Sequence, residues 1–346
     1  MEYRTLGRTG LQVSCIAFGT DNFLDPTPED ESTRMLNVAL DAGVNLLDTG
    51  DVYAAGEAER MIGRALKDNG RRHDVLLSTK VDHCMSIPGQ SLDEHAPVSI
   101  PNRHGLSRYN IIRACENSLR SFQTDYIDIL YAHRVSPDIP LDETLGALDY
   151  LVRSGKVRYV GTSTSPAWVV MEARAISKEL GYQRVVTEQP PYNLLDRRIE
   201  NELIPMAQKQ GIGLITWVPM AMGVLAGRYD DAEKLPQDSR AVYRGGFYRD
   251  RVTPRGVEVA RHFGAIAREI GISSAQLALL WVKDQPGVTA PLMGPRTMQH
   301  LEDALPVVEM TLNDETRAAC DALVPPGSVV ADFHNTSGWM KMSVGD

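Results

Sequence analysis

An alternation of short β-rich runs with stretches of helical spacing constrains this chain more than any other feature of its sequence. We predict eight strands: Cys15–Phe18, Val44–Leu47, Val75–Thr79, Ile127–Tyr131, Val157–Gly161, Val185–Glu188, Ile212–Trp217 and Val288–Met293. Eight buried strands that alternate with helices indicate a parallel sheet covered on both faces. An open, doubly wound sheet is the alternative, but eight units favour closure into a (β/α)8 TIM barrel. We predict that residues 1–346 form this barrel as a single domain.

The segments between the strands carry apolar residues at intervals of three and four, which predicts amphipathic helices. The predicted helices are Thr33–Ala42, Glu57–Lys67, Ile111–Phe122, Leu141–Arg153, Pro166–Leu180, Ile199–Gln210, Gly256–Ile270 and Ser274–Lys283. Ser165 precedes Pro166 in a pattern typical of a helix start, where a capping residue is followed by a proline in the first turn.

The connections between the predicted strands range from a short hairpin turn to two long loops. Tyr3–Leu6 and Leu11–Ser14 flank a glycine-rich turn and predict an N-terminal β-hairpin. Two connections, Val81–Arg108 and Arg228–Arg255, are much longer than usual, which is typical of functional or disordered loops, and we predict that they lie at the C-terminal face of the barrel. We interpret Phe247, Tyr248 and Trp339, which lie in the second long loop and the tail, as surface aromatics or substrate contacts.

Composition excludes several classes of function. The chain of 346 residues has 36 Lys and Arg against 45 Asp and Glu, a net charge of −9, and no basic run that would indicate nucleic-acid binding. No apolar run approaches the ~18 residues of a membrane span, and the N-terminus lacks the apolar region of a signal peptide. The four cysteines match no zinc spacing, and adjacent Asp82, His83 and Cys84 have no partner motif, so we predict no metal site. A reducing, cytoplasmic location is expected.

Polar side chains follow three successive predicted strands. Asp48 comes after the second strand, Lys80 after the third and His133 after the fourth, and Tyr53 lies in the loop that follows Asp48. In a parallel barrel the C-terminal ends of the strands meet at one rim, which is where active sites lie. The barrel prediction therefore brings these four residues together.

These residue types suit the donation of a proton to a carbonyl oxygen. A phenol with a reference pKa of ~10 donates poorly near neutral pH, but an ammonium group within ~4–6 Å favours the phenolate. An aspartate beside the lysine keeps the lysine charged and in place. A histidine can orient the substrate oxygen or relay the proton.

The order of several short motifs resembles the aldo-keto reductase superfamily along nearly the whole chain. The motifs are Asp48-Thr49-Gly50-Asp51-Val52-Tyr53 with Gly56-Glu57-Ala58-Glu59, Ser78-Thr79-Lys80, Ile129-Leu130-Tyr131-Ala132-His133-Arg134, Gly161-Thr162-Ser163, Gln189-Pro190-Pro191-Tyr192-Asn193, Trp217-Val218-Pro219-Met220 and Gly294-Pro295-Arg296-Thr297. Within that superfamily the chain is similar to the general reductases and to the branch that includes channel β-subunits. No Gly-x-Gly-x-x-Gly motif follows a strand, which agrees with a family that binds its dinucleotide across the barrel mouth.

The resemblance implies a role for each matching position. Tyr53 would be the general acid, Lys80 and Asp48 its tuning pair, and His133 the orienting or relay group. Ser163 and Gln189 would hold the nicotinamide carboxamide, and Trp217 would stack on the ring. The residues that the resemblance assigns to NADPH or NADP⁺ are Gly19, Thr20, Asp48, Ser163, Gln189, Trp217, Val218, Pro219, Met220, Gly223, Leu225, Arg228, Gly294, Arg296 and His300.

Arg296 would bind the adenosine 2′-phosphate, because a guanidinium group forks onto phosphate oxygens, and this would favour NADPH over NADH. An alternative partner for Arg296 is Glu302 or Asp303 on its own helix. Three positions depart from the family pattern, namely Thr164, His300 and Ala304. We therefore expect looser NADPH binding, and a sub-micromolar affinity would contradict this.

The function predicted from the resemblance is the NADPH-dependent reduction of a ketone or aldehyde to an alcohol. A bulky secondary-metabolite ketone or a keto-sugar is the suggested substrate. One alternative is a cofactor-binding sensor or regulatory subunit with little turnover, and another is an aldolase that forms a Schiff base on Lys80. The expected partner is a small-molecule carbonyl compound, without nucleic acid or membrane, and the sequence leaves the oligomeric state open.

Overall fold

The computed structural model describes residues 1–81, 102–134, 136 and 138–334. Eight parallel strands close into a barrel in which the last strand pairs with the first, in the order β10-β3-β4-β5-β6-β7-β8-β9. The barrel strands are β3 (Ala17–Gly19), β4 (Leu46–Asp48), β5 (Leu76–Val81), β6 (Ile127–Ala132), β7 (Val157–Ser163), β8 (Thr187–Gln189), β9 (Gly213–Thr216) and β10 (Val288–Met293). The predicted (β/α)8 barrel is confirmed, while the extension of one domain over residues 1–346 stays a prediction.

An antiparallel hairpin lies at the N-terminal end of the barrel. Its strands are β1 (Tyr3–Thr5) and β2 (Gln12–Ser14), as predicted. Leu6 and Val13 from the hairpin are fully buried among inward-facing barrel residues such as Ile129 and Ile215. The hairpin therefore closes the bottom of the barrel and leaves the C-terminal rim as its open end.

Helices follow most of the barrel strands and cover the sheet. They are α1 (Glu29–Asp41), α2 (Glu57–Asp68), α3 (Arg108–Phe122), α4 (Leu141–Arg153), α5 (Ala167–Leu180), α6 (Leu203–Gln210), α7 (Arg240–Tyr243), α8 (Gly246–Asp250), α9 (Pro254–Glu269), α10 (Ser274–Lys283), α11 (Met298–Ala304) and α12 (Asp314–Leu323). Apolar residues of the helices pack against the outer face of the strands and form the larger part of the core, as in a sheet buried on both sides.

Several predicted boundaries were wrong, each for a local reason. Several predicted strands start too early, because residues such as Val185 are buried beside the sheet without joining its ladder. The helix predicted to begin at Pro166 begins at Ala167, so Pro166 and not Ser165 holds the N-cap position, and no side-chain cap bond forms. The Ser165 N–H donates to the Glu188 carboxylate at 2.9 Å. The helix predicted from Ile199 begins at Leu203, after a separate 3-10 turn.

The second long loop is partly helical, because α7 and α8 lie within it. Most of the first long loop lies outside the described residues, as do Asp82, His83, Cys84 and Trp339. Three cysteines, Cys15, Cys115 and Cys320, are buried free thiols. In the described ranges, no single helix has the length and apolar character to span a membrane; α9 and α10 reach that length and composition only as a pair, bent by 91°.

Candidate active site

A buried cluster of charged and phenolic groups lies at the C-terminal rim of the barrel. The Lys80 ammonium group donates hydrogen bonds to Asp48 Oδ2 at 2.5 Å, to the Thr49 carbonyl at 2.6 Å and to Tyr53 Oη at 3.2 Å. The Lys80 and Asp48 side chains are only 2% and 3% exposed, so their ion pair is almost fully removed from water. The structure thus joins three of the four predicted catalytic residues by direct contact.

Strand register explains why Asp48 and Lys80 meet. β4 and β5 are adjacent parallel strands in which Asp48 is opposite Ser78. Lys80 lies two residues beyond Ser78 and so faces the same side of the sheet, because side chains alternate along a strand. Ser78 Oγ donates to Asp48 Oδ1 at 2.8 Å, a contact that the sequence analysis missed although the same alternation could have revealed it.

Tyr53 reaches the cluster through a tight turn after β4. Its N–H donates to the Gly50 carbonyl at 3.1 Å, and a Cβ atom at Gly50 would lie 3.3 Å from the Tyr53 ring. Ala54 and Ala55 then adopt left-handed backbone conformations with φ of 46° and 57°. Such a conformation costs a non-glycine residue roughly 1–2 kcal/mol, so the fold holds a strained turn next to the phenol.

His133 follows β6 directly, on the same rim. Its N–H donates to the carbonyl of Val81, the residue after Lys80, at 3.0 Å. The residue is partly buried. The backbone therefore places His133 at the level of the Lys80 end of β5, as the alignment of strand ends predicts.

Two residues predicted to hold a nicotinamide carboxamide are linked to this cluster. Gln189 donates from Nε2 to Asp48 Oδ1 at 2.9 Å, and Ser163 donates from Oγ to the Gln189 carbonyl at 2.9 Å. Thr20 joins the same group, because its Oγ1 donates to the Asp48 carbonyl at 3.0 Å from the end of β3, next to Gly19. Strand ends from β3 to β8 thus form one hydrogen-bonded network.

A second group of predicted residues lies around Asp238, in the second long loop. Arg228 forms an ion pair with the Asp238 carboxylate, and Arg296 donates to the Asp238 carbonyl at 3.1 Å. Arg296 also lies 5.6 Å from the Tyr243 ring centroid and shows no ion pair with Glu302 or Asp303 in the described residues. The loop therefore brings together Arg228 and Arg296, which are both predicted to bind the dinucleotide.

His300 and Ala304 lie on α11, next to this second group. The ring nitrogen Nδ1 of His300 accepts from the Arg296 N–H at 3.4 Å, and desolvation together with the Arg296 charge lowers the pKa of His300. Ala304 is 4% exposed and packs in the core. Gly294 lies at the end of β10, where its carbonyl accepts from Asn22 at 2.8 Å.

The segment after β9 is a series of tight turns. Val218 and Met222 have φ of 56° and 55°, and Gly223 has φ of 95°. Within it the Arg228 N–H donates to the Gly223 carbonyl and the Leu225 N–H donates to the Met220 carbonyl, both bonds closing the loop on itself. The predicted residues of this segment are Val218, Pro219, Met220, Gly223 and Leu225.

Trp217, at the end of β9, has a neighbour that sequence analysis missed. The guanidinium carbon of Arg251 lies 5.4 Å from the Trp217 ring centroid and 4.6 Å from the Phe247 ring centroid. Phe247 and Tyr248 are stacked with their ring centroids 4.1 Å apart, and Tyr248 is buried rather than on the surface. Arg251 thereby ties aromatic residues of the second long loop to Trp217.

A group of possible metal ligands joins the loop after β8 to the end of the described chain. Potential ligand atoms of Asp196, Asp332 and His334 lie within 4.8 Å of one another. Arg198 binds both carboxylates, at 2.6 and 2.7 Å, so a guanidinium already balances part of their negative charge. Burial alone would raise the pKa of Asp196, but hydrogen bonds from Arg198 and His334 lower it overall. The cluster is an ion-pair network that fastens the C-terminal segment.

The fold and rim site define an α/β-barrel protein with a buried ammonium–carboxylate–phenol cluster at its open end. Residues 15–325 match the family described as "Aldo/keto reductase family", and the chain belongs to it. Membership of this family implies an oxidoreductase. The family resemblance seen in the sequence motifs is therefore confirmed.

Similar proteins come from bacteria and plants. The chain is 36% identical over 333 residues to "Uncharacterized oxidoreductase YrpG" of Bacillus subtilis, covering 94% of this chain and 97% of that protein. It is 37% identical over 302 residues to a "Probable voltage-gated potassium channel subunit beta" of Oryza sativa, covering 85% and 87%. A protein of the same name from Arabidopsis thaliana is 34% identical over 317 residues, covering 90% and 92%.

Proposed function

We propose that this protein uses NADPH to reduce a ketone or aldehyde to an alcohol, with Tyr53 donating the proton to the carbonyl oxygen. The observation that carries the proposal is the 3.2 Å contact between Lys80 Nζ and Tyr53 Oη, inside a cluster that Asp48 completes. An ammonium group at this distance stabilises the phenolate that remains after the proton has left. The geometry thus suits a general acid and, in the reverse direction, a general base.

The donor set of the rim fits a phosphorylated dinucleotide. Ser163 and Gln189 offer a hydroxyl and an amide beside the Tyr53 cluster, which are the groups needed to bind a carboxamide. Arg228 and Arg296, gathered around Asp238, offer two guanidinium groups suited to phosphate oxygens. We propose that these residues, with Trp217 against the nicotinamide, hold NADPH.

Bound NADPH would supply a hydride to the carbonyl carbon. Tyr53 would hold and transfer the proton at Oη, and Lys80 would stabilise the charge left on that oxygen. Asp48 keeps Lys80 in place, because it accepts from Lys80, Ser78 and Gln189 together. The near-complete burial of this pair keeps water away and strengthens its electrostatic effect. His133 would orient the substrate oxygen from the end of β6.

The partly exposed rings of Trp217 and Phe247 are the apolar surface that supports a substrate larger than a simple aldehyde. Both rings lie against the guanidinium of Arg251, which is fully buried and holds them in place together with the buried Tyr248. We propose a bulky ketone, such as a secondary metabolite or a keto-sugar, packed against the Trp217 and Phe247 rings. A cytoplasmic location, a small-molecule partner and NADPH binding loosened by Thr164, His300 and Ala304 also stay proposals.

A panel of carbonyl compounds, with the loss of NADPH absorbance as the readout, tests the proposed function. We expect turnover with NADPH, weaker turnover with NADH, and a selective loss of the NADPH advantage in Arg296→Ala. An Arg249→Ala variant is the control, because Arg249 is exposed on α8. Equal use of the two nucleotides by the unmodified protein would contradict the role of Arg296.

Two other functions give different results in the same assay. The plant relatives named as probable channel subunits favour a sensor, which would bind NADPH and show no turnover with any carbonyl. An aldolase would form a covalent adduct that borohydride traps. The structure disfavours the aldolase, because three oxygen acceptors already engage the Lys80 side-chain nitrogen, which a Schiff base would have to release. We expect turnover and no trapped adduct.

A further inference from the structure

Glu188 is a fully buried carboxyl group to which neither the motif analysis nor the proposed reaction assigns a role. It lies on β8 between Thr187 and Gln189 and is 0% exposed. Because successive side chains of a strand face opposite sides, Glu188 lies on the opposite side of the sheet from Gln189, which meets Asp48. Glu188 is thus directly behind a residue of the proposed carboxamide site.

The carboxyl group of Glu188 binds the end of the neighbouring strand, β7, and the turn that follows it. Thr162 donates from Oγ1 to Oε2 at 2.5 Å, and the Ser165 N–H donates to Oε1 at 2.9 Å. The Thr164 N–H, between these two donors, binds the Gln189 carbonyl at 3.1 Å. Donors on both sides of Ser163 are therefore attached to one buried acceptor.

The turn that Glu188 binds is strained. Thr164 has φ of 54°, in the left-handed region, which is unfavourable for a β-branched residue and rarely occupied. Such a conformation persists only where the surroundings over-determine it. The hydrogen bonds from Thr162 and Ser165 to Glu188, with the bond from the Thr164 amide to the Gln189 carbonyl, supply that constraint, and Ser163 lies within the segment that they hold.

We propose that Glu188 is a positioning residue for the nicotinamide end of the dinucleotide: its buried carboxyl group fixes the Thr164–Ser165 turn and so sets Ser163 and Gln189 in place for the carboxamide. The proposal rests on the proposed binding of NADPH at this rim. Glu188 acts through its neighbours and takes no part in the transfer of hydride or proton.

The protonation state of Glu188 gives the proposal a readout. Burial raises the pKa of Glu188 to about 8, against the opposing effect of the hydrogen bonds from Thr162, Ser165 and Thr164. These neighbours on β7 and its turn are uncharged. Among the described residues, the Glu188 charge also raises the pKa of the buried Tyr131 phenol on β6. Ionisation therefore places a negative charge behind the carboxamide site as the pH rises through this value.

The test compares Glu188→Ala, Glu188→Gln and the control Glu179→Gln, an exposed position on α5. Fluorescence titration measures the affinity for NADPH, and calorimetry measures the affinity for adenosine 2′,5′-bisphosphate, which lacks the nicotinamide end. We expect Glu188→Ala to weaken NADPH binding by about tenfold or more, equivalent to about 1.4 kcal/mol, and to leave the bisphosphate unaffected. Glu188→Gln keeps one acceptor oxygen for the Ser165 amide, and its NH₂ group can donate to Thr162 Oγ1, because a hydroxyl group also accepts, so this variant should bind NADPH nearly as the unmodified protein does.

A pH series adds a readout that a purely structural role would not change. Between about pH 6 and about pH 9 the unmodified protein should increasingly favour NADP⁺, whose ring is positively charged, over NADPH. In Glu188→Gln the ratio of the affinities for NADP⁺ and NADPH should not change with pH. This measurement does not need Glu188→Ala, so it tests the proposal even if that variant fails to fold.

Two results would overturn the positioning role of Glu188 and leave the proposed function intact. One is an unchanged NADPH affinity in folded Glu188→Ala. The other is a relative affinity for NADP⁺ and NADPH that depends on pH in Glu188→Gln as it does in the unmodified protein. A different result refutes the proposed function itself, namely unmodified protein that binds neither NADPH nor the bisphosphate. The two failures are therefore distinguishable.

Discussion

Replacing Asp48 with asparagine tests the buried ion pair at the centre of the site. Asp48 is 2% exposed and accepts from Lys80, Ser78 and Gln189, so both of its oxygens are engaged. An asparagine has one acceptor oxygen, so its NH₂ group must face either the Lys80 ammonium or the Ser78 and Gln189 donors. The substitution keeps the volume and leaves the buried Lys80 charge without its counter-ion.

The expected loss of stability follows from this uncompensated charge. Removing one partner of a buried ion pair costs about 3–5 kcal/mol. With an unfolding entropy of about 2.1 cal/mol/K per residue, the 346-residue chain should lose about 4–7 °C in melting temperature. Thermal and urea unfolding followed by circular dichroism measure both quantities.

Two further variants show whether the loss comes from the buried charge. Asp41→Asn makes the same change in an exposed pair with Arg71, where Asp41 is 74% exposed, and should cost about 0–1 kcal/mol. Adding Lys80→Met to Asp48→Asn removes the uncompensated charge and should restore part of the stability. If Asp48→Asn is no more destabilising than Asp41→Asn, the reasoning about this pair is refuted.

Two other predictions concern α2. Burial raises the pKa of Glu59, which binds Thr79 at 2.7 Å, to about 7, so folded protein keeps a proton that unfolded protein loses near pH 4.5. Stability from this group is present below about pH 4.5 and is lost as the pH rises through about 7, and Glu59→Gln should remove that loss in urea unfolding at a series of pH values. Gly63→Ala should cost about 1–3 kcal/mol in the same assay, because its Cβ would lie 2.6 Å from Phe122 Cα; unchanged stability would contradict the packing described here.

The barrel and the Asp48–Lys80 pair were predictable because both follow from period and topology. Buried strands and amphipathic helices have different periods in the sequence, and their alternation leaves few possible folds. In a closed parallel barrel, residues at the ends of neighbouring strands lie at one rim, whatever their separation along the chain. The positions of Asp48 and Lys80, at the ends of neighbouring predicted strands, were therefore enough to predict that the two residues lie close together.

Features that depend on loop conformation could not be predicted in this way. Tyr53 lies in a turn that continues through left-handed Ala54 and Ala55, a conformation that alanine disfavours. The approach of Arg228 and Arg296 requires Asp238, placed by a loop whose helical turns are too short to give a periodic signal. In these cases tertiary contacts decide the local structure.

The wrong prediction of Ser165 as the helix cap also results from a tertiary contact. A serine before a proline is typical of a helix start, and that pattern was correct about the position of the helix to within one residue. The pattern could not show that the buried Glu188, on β8, binds the backbone of this turn through the Ser165 N–H. Glu188 escaped notice because a glutamate within a strand gives no signal of burial until its hydrogen-bond partners are known.

The rate of a single turnover in Tyr53→Phe tests the central claim most directly. The variant keeps the ring and removes only the hydroxyl that meets Lys80 Nζ. With saturating NADPH and the best carbonyl substrate, we expect a loss of about 10²–10⁴-fold with little change in NADPH affinity, the range for a general acid. Tyr150→Phe, on the exposed face of α4, should react as the unmodified protein does. A Tyr53→Phe variant that oxidises NADPH at the unmodified rate would contradict the assignment of Tyr53 as the proton donor.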